Sequence, residues 1–201
     1  MNFYIFSENI FLKRDINLPN EEILKELKNL IYVKVPPQIK DPNYDTKQYI
    51  TGFKVLDNLY FGKQIKVKME ECLTEAIDSF GYESGFTICN SWVNKIEPHN
   101  YSEWHNHKNF WLSLVYYPHG DFSIAFSKND LNFFDVKKKR DNPFTNNMFS
   151  VTVSAGTMIV FPAYLQHKIG YNFSEENRYS IAVNILPKGN IGVGDGQINF
   201  M

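Results

Sequence analysis

The sequence lacks several features that would place it in a specialised class of protein. Its 201 residues include only two cysteines, Cys72 and Cys89, whose separation forms neither a disulfide framework nor a metal–thiolate motif. We expect both thiols to be buried and unpaired, which fits a reducing, cytoplasmic compartment. The formal net charge is only −1. A nucleic-acid partner and an anionic membrane surface are therefore not expected.

Long apolar runs are also missing. No uninterrupted apolar stretch approaches the roughly 18 residues that a membrane span requires. The apolar segment Met1–Ile10 is interrupted by polar residues and has no basic region before it, so we expect no signal peptide. Aromatic residues, in contrast, are abundant, with 17 Phe and 12 Tyr. Such a composition favours strands around a wide apolar core, and the length suits a single domain.

The first part of the chain, residues 1–84, reads as a helical support region. Asn20 can cap a helix whose apolar face includes Ile23 and Leu27. A second helix is predicted from about Gly62 to Phe80, with apolar residues at helical spacing. Pro36 to Tyr49 reads as a loop. If the chain forms a homodimer, we expect these helices to form the interface.

From residue 85 to residue 186 the pattern changes to short apolar and aromatic runs between turn residues. This pattern predicts an antiparallel β-sandwich or barrel core. The tail 187–201 is rich in glycine and is predicted to be irregular. Lys137–Arg140 is either a solvated loop or a local patch that binds an anion or nucleic acid, and the balanced total charge favours the loop. The predicted strands are Phe86–Ile96, Phe110–Tyr117, Phe122–Phe126, Leu131–Val136, Phe149–Val153, Thr157–Phe161 and Tyr179–Leu186.

Candidate metal ligands are found among the five histidines. On a strand, His105 and His107 would point in the same direction and could aim two imidazoles at one ion. Such a pair also occurs on surfaces that bind nothing. His167 follows an apolar strand and can add a third imidazole at the mouth of a barrel. We expect His99 and His119, which follow prolines in predicted turns, to be surface residues.

Arg178 adds a different kind of chemistry. Strand alternation places Arg178 and Ser180 on one face, with Tyr179 and Ile181 on the other. A guanidinium group and a hydroxyl group on an inner face can bind a carboxylate, whereas the alternative for Arg178 is an ordinary surface ion pair. Three further residues are candidates for the same pocket, and core packing or a structural hydrogen bond is the alternative role of each: Asn94, Tyr117 and Asn184.

These residues occur in an order that resembles a known family, the 2-oxoglutarate- and Fe(II)-dependent oxygenases, in the superfamily that includes prolyl hydroxylases. The resemblance covers roughly Trp92 to Asn184. It rests on five segments: Ser91-Trp92-Val93-Asn94, His105-Asn106-His107, Ser113–Tyr117, Phe161-Pro162 with Leu165-Gln166-His167, and Arg178-Tyr179-Ser180.

The resemblance implies a mainly β protein with N-terminal helices, whose core is a double-stranded β-helix (a jelly-roll, cupin-like barrel). It implies Fe(II) bound by His105 and His167, with no catalytic residue beyond the metal centre. Arg178 and Ser180 match the pair that binds the far carboxylate of the cosubstrate 2-oxoglutarate. His107 stands where the superfamily usually has Asp or Glu, and its strand geometry makes it the candidate for the third ligand.

The resemblance therefore predicts a 2-oxoglutarate-dependent oxygenase, a hydroxylase of unknown substrate. Two alternatives stay open from the residues alone. One is a three-histidine, cupin-like metalloprotein that acts without 2-oxoglutarate, since such a site also suits zinc. The other is a barrel that binds a metal or ligand without catalysis.

Overall fold

A computed structural model of the chain describes residues 9–36, 47–120, 122–127 and 147–200. Within these residues the backbone forms two α-helices, α1 (Asn20–Lys28) and α2 (Gly62–Ser79). It also forms strands β1 (Phe11–Lys13), β2 (Val33–Lys34), β3 (Gln48–Ile50), β4 (Gly85–Ile96), β5 (Leu112–Tyr117), β6 (Phe122–Ser127), β7 (Met148–Val153), β8 (Thr157–Pro162), β9 (Gln166–Ile169), β10 (Arg178–Ile191) and β11 (Ile198–Phe200). The predicted strand Leu131–Val136 and the basic run Lys137–Arg140 lie outside the described residues.

The strands form two antiparallel sheets. The larger sheet has the order β1-β8-β5-β10-β4-β3-β2, with β11 added to β10, and the smaller one has the order β7-β6-β9. Apolar side chains of both sheets share one buried cluster, in which Phe161 and Val115 of the larger sheet pack with Phe126 and Ile169 of the smaller one. Two facing antiparallel sheets around one interior are a jelly roll. The predicted mainly β fold, with a double-stranded β-helix at its core, is confirmed.

The helices cover the other face of the larger sheet. Ile65, Met69 and Leu73 line one side of α2, recur at helical spacing and are fully buried. They pack in a second core with Ile181 and Val183 of β10. The predicted helix from Gly62 is confirmed as α2. Neither helix in the described part of the chain has the length and apolar character that crossing a membrane requires.

Strand β10 lies between the two cores, and its successive side chains point alternately into one core and the other. Tyr179, Ile181 and Val183 belong to the core beneath the helices, whereas Ala182 belongs to the core between the sheets. The predicted facing of this strand is confirmed. Its even-numbered residues from Arg178 to Asn184 therefore line the barrel interior, because successive side chains of a strand point to opposite faces. This interior face includes Arg178.

A β-bulge in β4 keeps the side chains of β4 facing the same two cores as their partners on β10. Asn90 lies opposite Asn184, but the next pair joins Ile88 to Ile185, which leaves Cys89 as an extra residue. Asn90 can therefore face the barrel interior while Ile88 packs beneath the helices. Cys89 is only partly buried, so the prediction of two buried thiols is right for Cys72 alone. Both thiols are free, as predicted.

Two predictions for the ends of the chain are wrong. The described part of the helical support region, residues 1–84, also contains β1, β2 and β3, which extend the larger sheet. The tail 187–201 is not irregular, because β10 continues to Ile191 and pairs with β11. Gly192 and Gly194 have positive φ angles and form the turn between these strands, so the glycines reverse the chain.

The start of α1 also differs from its prediction. The residue before the helix is Pro19, and no side chain caps it. Asn20 uses its side-chain oxygen to accept a hydrogen bond from the Tyr116 hydroxyl of β5. The helix is thus tied to the sheet by this residue. Within the predicted loop Pro36–Tyr49, residues 37–46 lie outside the description, and Gln48 begins β3.

Candidate metal centre

Backbone hydrogen bonds hold His105 and His167 side by side. His105 N–H donates to the carbonyl of His167 at 3.0 Å, and His167 N–H donates to the carbonyl of His105 at 2.9 Å. The two residues form an isolated antiparallel bridge at the edge of the smaller sheet, where His167 also pairs with Phe126. The separation of these two imidazoles is therefore set by sheet geometry.

His107 is held by a different element. Its N–H donates to the carbonyl of Ala163 at 2.7 Å, just beyond the end of β8. The segment from His105 to His107 is not a regular strand, because only His105 takes part in a bridge. The strand alternation predicted for this pair is thus wrong in detail. The two rings nevertheless converge, because the bonds to His167 and Ala163 fix both ends of the segment.

The three imidazoles meet at one point. Each offers one ring nitrogen, and these three nitrogens lie within 4.8 Å of one another. The ring centroids are 4.3 Å apart for His105 and His167, and 5.2 Å apart for His107 and His167. Metal–nitrogen bonds of about 2 Å place two ligand atoms on one ion within about 4 Å. Small ring rotations would bring the three nitrogens onto a single ion.

Hydrogen bonds orient two of these rings for binding. The Nδ1 of His105 is 2.8 Å from the carbonyl oxygen of Glu103, and the Nδ1 of His167 is 2.9 Å from that of Leu165. A carbonyl only accepts, so each Nδ1 carries the proton and donates. Each Nε2 then keeps its lone pair for a metal ion, and the carbonyls fix the ring orientation in the way that supporting groups at metal sites do.

The environment keeps the three imidazoles neutral. Burial lowers the pKa of His105 and His167 below the ordinary value, and it lowers the pKa of His107 to about 4, with a smaller contribution from His105. A proton is therefore a weak competitor for these nitrogens at neutral pH. Neutral imidazoles suit Fe(II), Zn(II) and other mid-series divalent ions. The donor set present in the structure fits a metal ion.

Aromatic rings form the walls around the histidines. The ring of Phe161 lies 4.7 Å from that of His167, edge to face, and the ring of Trp92 lies 5.4 Å from that of His107. Phe161 is fully buried and Trp92 is 7% exposed, whereas His107 is half-buried. The site is therefore enclosed on the barrel side and open to solvent on the other side.

Arg178 lies on the barrel interior, where its strand alternation predicted it. It is 4% exposed, and its guanidinium donates to the carbonyl of Tyr171 at 3.4 Å. Ser180, the next inward residue, accepts a hydrogen bond from Asn94 at 3.4 Å. Asn94 in turn accepts one from the indole N–H of Trp92 at 3.1 Å. A polar chain thus runs along the interior from Ser180 to the ring beside His107.

The other two predicted pocket residues lie at different levels of the barrel. Tyr117 is fully buried, and burial raises its pKa; it follows Tyr116, which lies opposite Ile181, so it is at the level of Ser180. Asn184 lies six residues from Arg178, about 20 Å along an extended strand. It accepts a hydrogen bond from Ser113 at 2.9 Å. The structure therefore brings Tyr117 near Ser180 and separates Asn184 from Arg178.

Some contributors could not be read from the sequence. Three backbone carbonyls position the candidate ligands, those of Glu103, Leu165 and Ala163. Every residue has a backbone carbonyl, so the sequence does not reveal which ones take part. His99 is exposed, as predicted. His119 is only partly exposed, and its Nε2 accepts the N–H of Tyr179 at 2.8 Å, so its assignment as a surface residue is wrong.

Comparisons with known proteins agree with this geometry. The family model described as "Putative 2OG-Fe(II) oxygenase" matches residues 90–184, which include every site residue named above. No curated protein sequence matches the chain.

Solved structures of the same fold were also found. A 2OG-Fe(II) oxygenase-family oxidoreductase of Burkholderia pseudomallei is 12% identical, with 89% of this chain and 84% of that chain covered and a TM-score of 0.57. A prolyl-4-hydroxylase of Pseudomonas putida is 12% identical, with 89% and 92% covered and a TM-score of 0.58. HygX of Streptomyces hygroscopicus, solved with nickel and 2-oxoglutarate, is 10% identical, with 90% and 83% covered and a TM-score of 0.60.

Proposed function

The chain belongs, through residues 90–184, to the 2OG-Fe(II) oxygenase family, and from this premise we propose specific roles for its residues. His105, His107 and His167 bind the ferrous ion. Arg178 and Ser180 bind the carboxylate of 2-oxoglutarate that is remote from the metal. The observation that carries the proposal is the convergence of three neutral imidazoles in a barrel whose interior also holds a buried arginine.

The spacing along β10 and β4 supports this division of roles. Trp92 of β4 contacts His107 and lies opposite Ala182 of β10. Arg178 is also on β10, four residues before Ala182. Four residues of strand span about 13 Å. An arginine side chain and a five-carbon dicarboxylate can fill that distance between them. Asn184, on the opposite side of Ala182, lies too far from Arg178 to contact the same acid.

The three histidines bind the ion through one face of its coordination sphere, which leaves the opposite face for cosubstrate and O₂. When bound there, Fe(II) with 2-oxoglutarate and O₂ would supply oxidation of a C–H bond of the substrate, with release of CO₂; one oxygen atom of O₂ would enter succinate and the other would enter the hydroxylated substrate. His105 and His167 keep their Nε2 lone pairs available because their Nδ1 protons are held by carbonyls. Buried Phe161 excludes water from the barrel side of the ion.

Arg178 orients the cosubstrate. Its guanidinium can donate two parallel hydrogen bonds to a carboxylate, while the hydroxyl of Ser180 adds a third. Asn94 holds that hydroxyl in place. Because the site is buried, these charge-assisted bonds are stronger than they would be in water. Tyr117, at the same level, supplies a neutral phenol to the same region, since burial keeps it protonated.

His107 gives this centre a different charge from the more usual triad of two histidines and one carboxylate. A neutral ligand in place of a carboxylate raises the net charge of the metal site by one unit. We expect this change to alter the reduction potential of bound iron and to strengthen its attraction for anionic cosubstrate.

The proposal is tested by anaerobic titration of the metal-free protein with Fe(II) and 2-oxoglutarate. A visible charge-transfer band of the iron–cosubstrate chelate is expected in the wild type. Arg178→Lys keeps the positive charge but loses the paired donors, so it should weaken 2-oxoglutarate binding by about tenfold or more while iron still binds. Exposed Arg14 provides the control, and Arg14→Lys should leave the titration unchanged.

Two outcomes would contradict these roles. One is stoichiometric iron without any chelate band, or an Arg178→Lys variant that titrates like the wild type. The other is stoichiometric zinc in protein purified without added metal, together with no succinate formed from 2-oxoglutarate. The second result would favour a three-histidine metalloprotein of another activity.

Three expectations from the sequence concern the cell and remain predictions. They are a cytoplasmic location, a homodimer formed through the N-terminal helices, and the lack of a nucleic-acid partner. The balanced charge of −1 supports the third one. Sedimentation of the purified protein would decide the second one directly.

A further inference from the structure

An aromatic side chain stands exposed next to the candidate metal centre. Phe53 is 64% exposed, and its ring meets that of Trp92 edge to face, with the ring centroids 6.2 Å apart. Trp92 in turn contacts the ring of His107. The three rings therefore form a continuous series that leads from solvent to a proposed metal ligand.

The backbone fixes the segment that carries Phe53. On one side of it, Thr51 N–H donates to the carbonyl of Val93 at 3.1 Å, and Val93 N–H donates to the Thr51 hydroxyl at 3.0 Å. On the other side, Leu56 N–H donates to the hydroxyl of Ser91 at 3.1 Å. Both anchors belong to β4, on either side of Trp92. The exposed ring is thus held at a defined place and is not part of a free loop.

The residue after Phe53 supports the same view. Lys54 has a φ angle of +70°, which lies in the left-handed region that side chains other than glycine rarely adopt. Such strain persists where the surrounding structure enforces it, and it is common at ligand sites. Gly52, on the other side of Phe53, has open space where a Cβ atom would lie.

The ring of Trp92, which is 7% exposed, lies between those of Phe53 and His107. Its indole N–H is used inside the barrel by Asn94, which leaves the apolar part of the ring toward Phe53 and His107. In the described part of the chain, no lysine or arginine stacks on Phe53 or Trp92; the cation–π contacts there involve Lys95 and Lys168 with other rings. The faces of the two rings are apolar.

We propose that Phe53 and Trp92 form a substrate subsite that takes a flat apolar group, such as an aromatic ring, next to the atom to be oxidised. This inference rests on the proposed function, because it treats His107 as a metal ligand and the open side of the site as the substrate side. Phe53 determines specificity. Edge-to-face contacts between aromatic rings add to the effect of apolar burial, so a flat ring is preferred over an aliphatic group of similar size.

The test uses indole as the aromatic probe and cyclohexanol as the aliphatic one, with the protein loaded with Co(II) and 2-oxoglutarate. Proton NMR measures how strongly paramagnetic Co(II) broadens the resonances of each probe, relative to protein loaded with Zn(II). In the wild type, indole should be broadened more than cyclohexanol. Phe53→Ala should weaken indole binding by about tenfold, and Phe53→Trp should restore it.

Phe173 provides a matched control, because it is 80% exposed and its ring contacts Tyr171, away from Trp92. Phe173→Ala should leave the broadening of indole unchanged. Equal broadening in the wild type and in Phe53→Ala would overturn the inference, as would no broadening of indole in a protein that binds both Co(II) and 2-oxoglutarate. Failure of Co(II) or 2-oxoglutarate to bind would instead refute the proposed function, and this subsite with it.

Discussion

Acidification should destabilise the metal-free protein through its buried histidines. The pKa of His107 falls from 6.5 to about 4 on folding, chiefly because of burial, and the pKa values of His105 and His167 shift in the same direction. Between these two pH values the unfolded chain holds a proton at residue 107 and the folded chain does not. Stability is therefore highest above pH 6.5 and is lost as the pH falls toward 4.

The expected magnitude follows from the shift of His107. One proton changes the free energy of unfolding by about 1.4 kcal/mol per pH unit in this window. Acidification from pH 6.5 to pH 4.5 covers two units, but residue 107 is already half protonated in the unfolded chain at pH 6.5, so His107 alone lowers the free energy of unfolding by about 2 kcal/mol. This is a large fraction of the roughly 5–15 kcal/mol that a domain has in total. His105 and His167 add to it.

Urea unfolding followed by circular dichroism, with a chelator present, measures this effect at pH 6.5, 5.5 and 4.5. In His107→Gln the dependence on pH should be shallower by about one proton, or about 1.4 kcal/mol per pH unit. Leu73→Ala is the control, because it removes a fully buried side chain that has no titratable group and should leave the slope unchanged. Identical slopes for the wild type and His107→Gln would refute the reasoning.

Three further substitutions test other parts of the structure. His107→Asp should retain a stoichiometric divalent ion, seen by metal analysis, but should shift the visible spectrum of the Co(II) form; an unchanged spectrum would argue against ligation by residue 107. Leu73→Ala removes a fully buried side chain and should lower the free energy of unfolding by about 2–5 kcal/mol in urea, with metal stoichiometry unchanged. Asn172→Ala removes hydrogen bonds to the carbonyls of Ile96 and Glu176 and should lower it by about 1–3 kcal/mol; no change in urea would show that these bonds do not stabilise the fold.

The parts of the site that depend on side-chain type and strand alternation were accessible from sequence. The interior facing of Arg178 and Ser180 follows from the period of two along β10, and the structure agrees. The position of His167 after an apolar strand made it a candidate ligand, but its pairing with His105 has no local signal, because the two segments are far apart in the sequence. The bulge at Cys89 had none either, because a strand of twelve residues reads as continuous.

Two wrong predictions of the fold came from glycine and asparagine residues. Gly192 and Gly194 suggested an irregular tail, although a glycine with positive φ is equally what a turn between two strands requires. Asn20 suited a helix cap by type and position, but a hydroxyl from β5 uses its side-chain oxygen. In both cases the residue type suits two local structures. The choice between them depends on a strand partner or a tertiary contact, which the local sequence does not show.

The paired backbone bonds between His105 and His167 have a consequence for the evolution of this centre. These bonds join main-chain atoms only, so the distance between residues 105 and 167 does not depend on which side chains these residues carry. The N–H of His107 is anchored to Ala163 in the same way. A single-nucleotide change exchanges histidine for aspartate. Because residue 107 is the proposed third ligand, we expect one such mutation to change the metal preference while the main-chain bonds of the barrel stay in place, so selection can explore ligand chemistry without first rebuilding the fold.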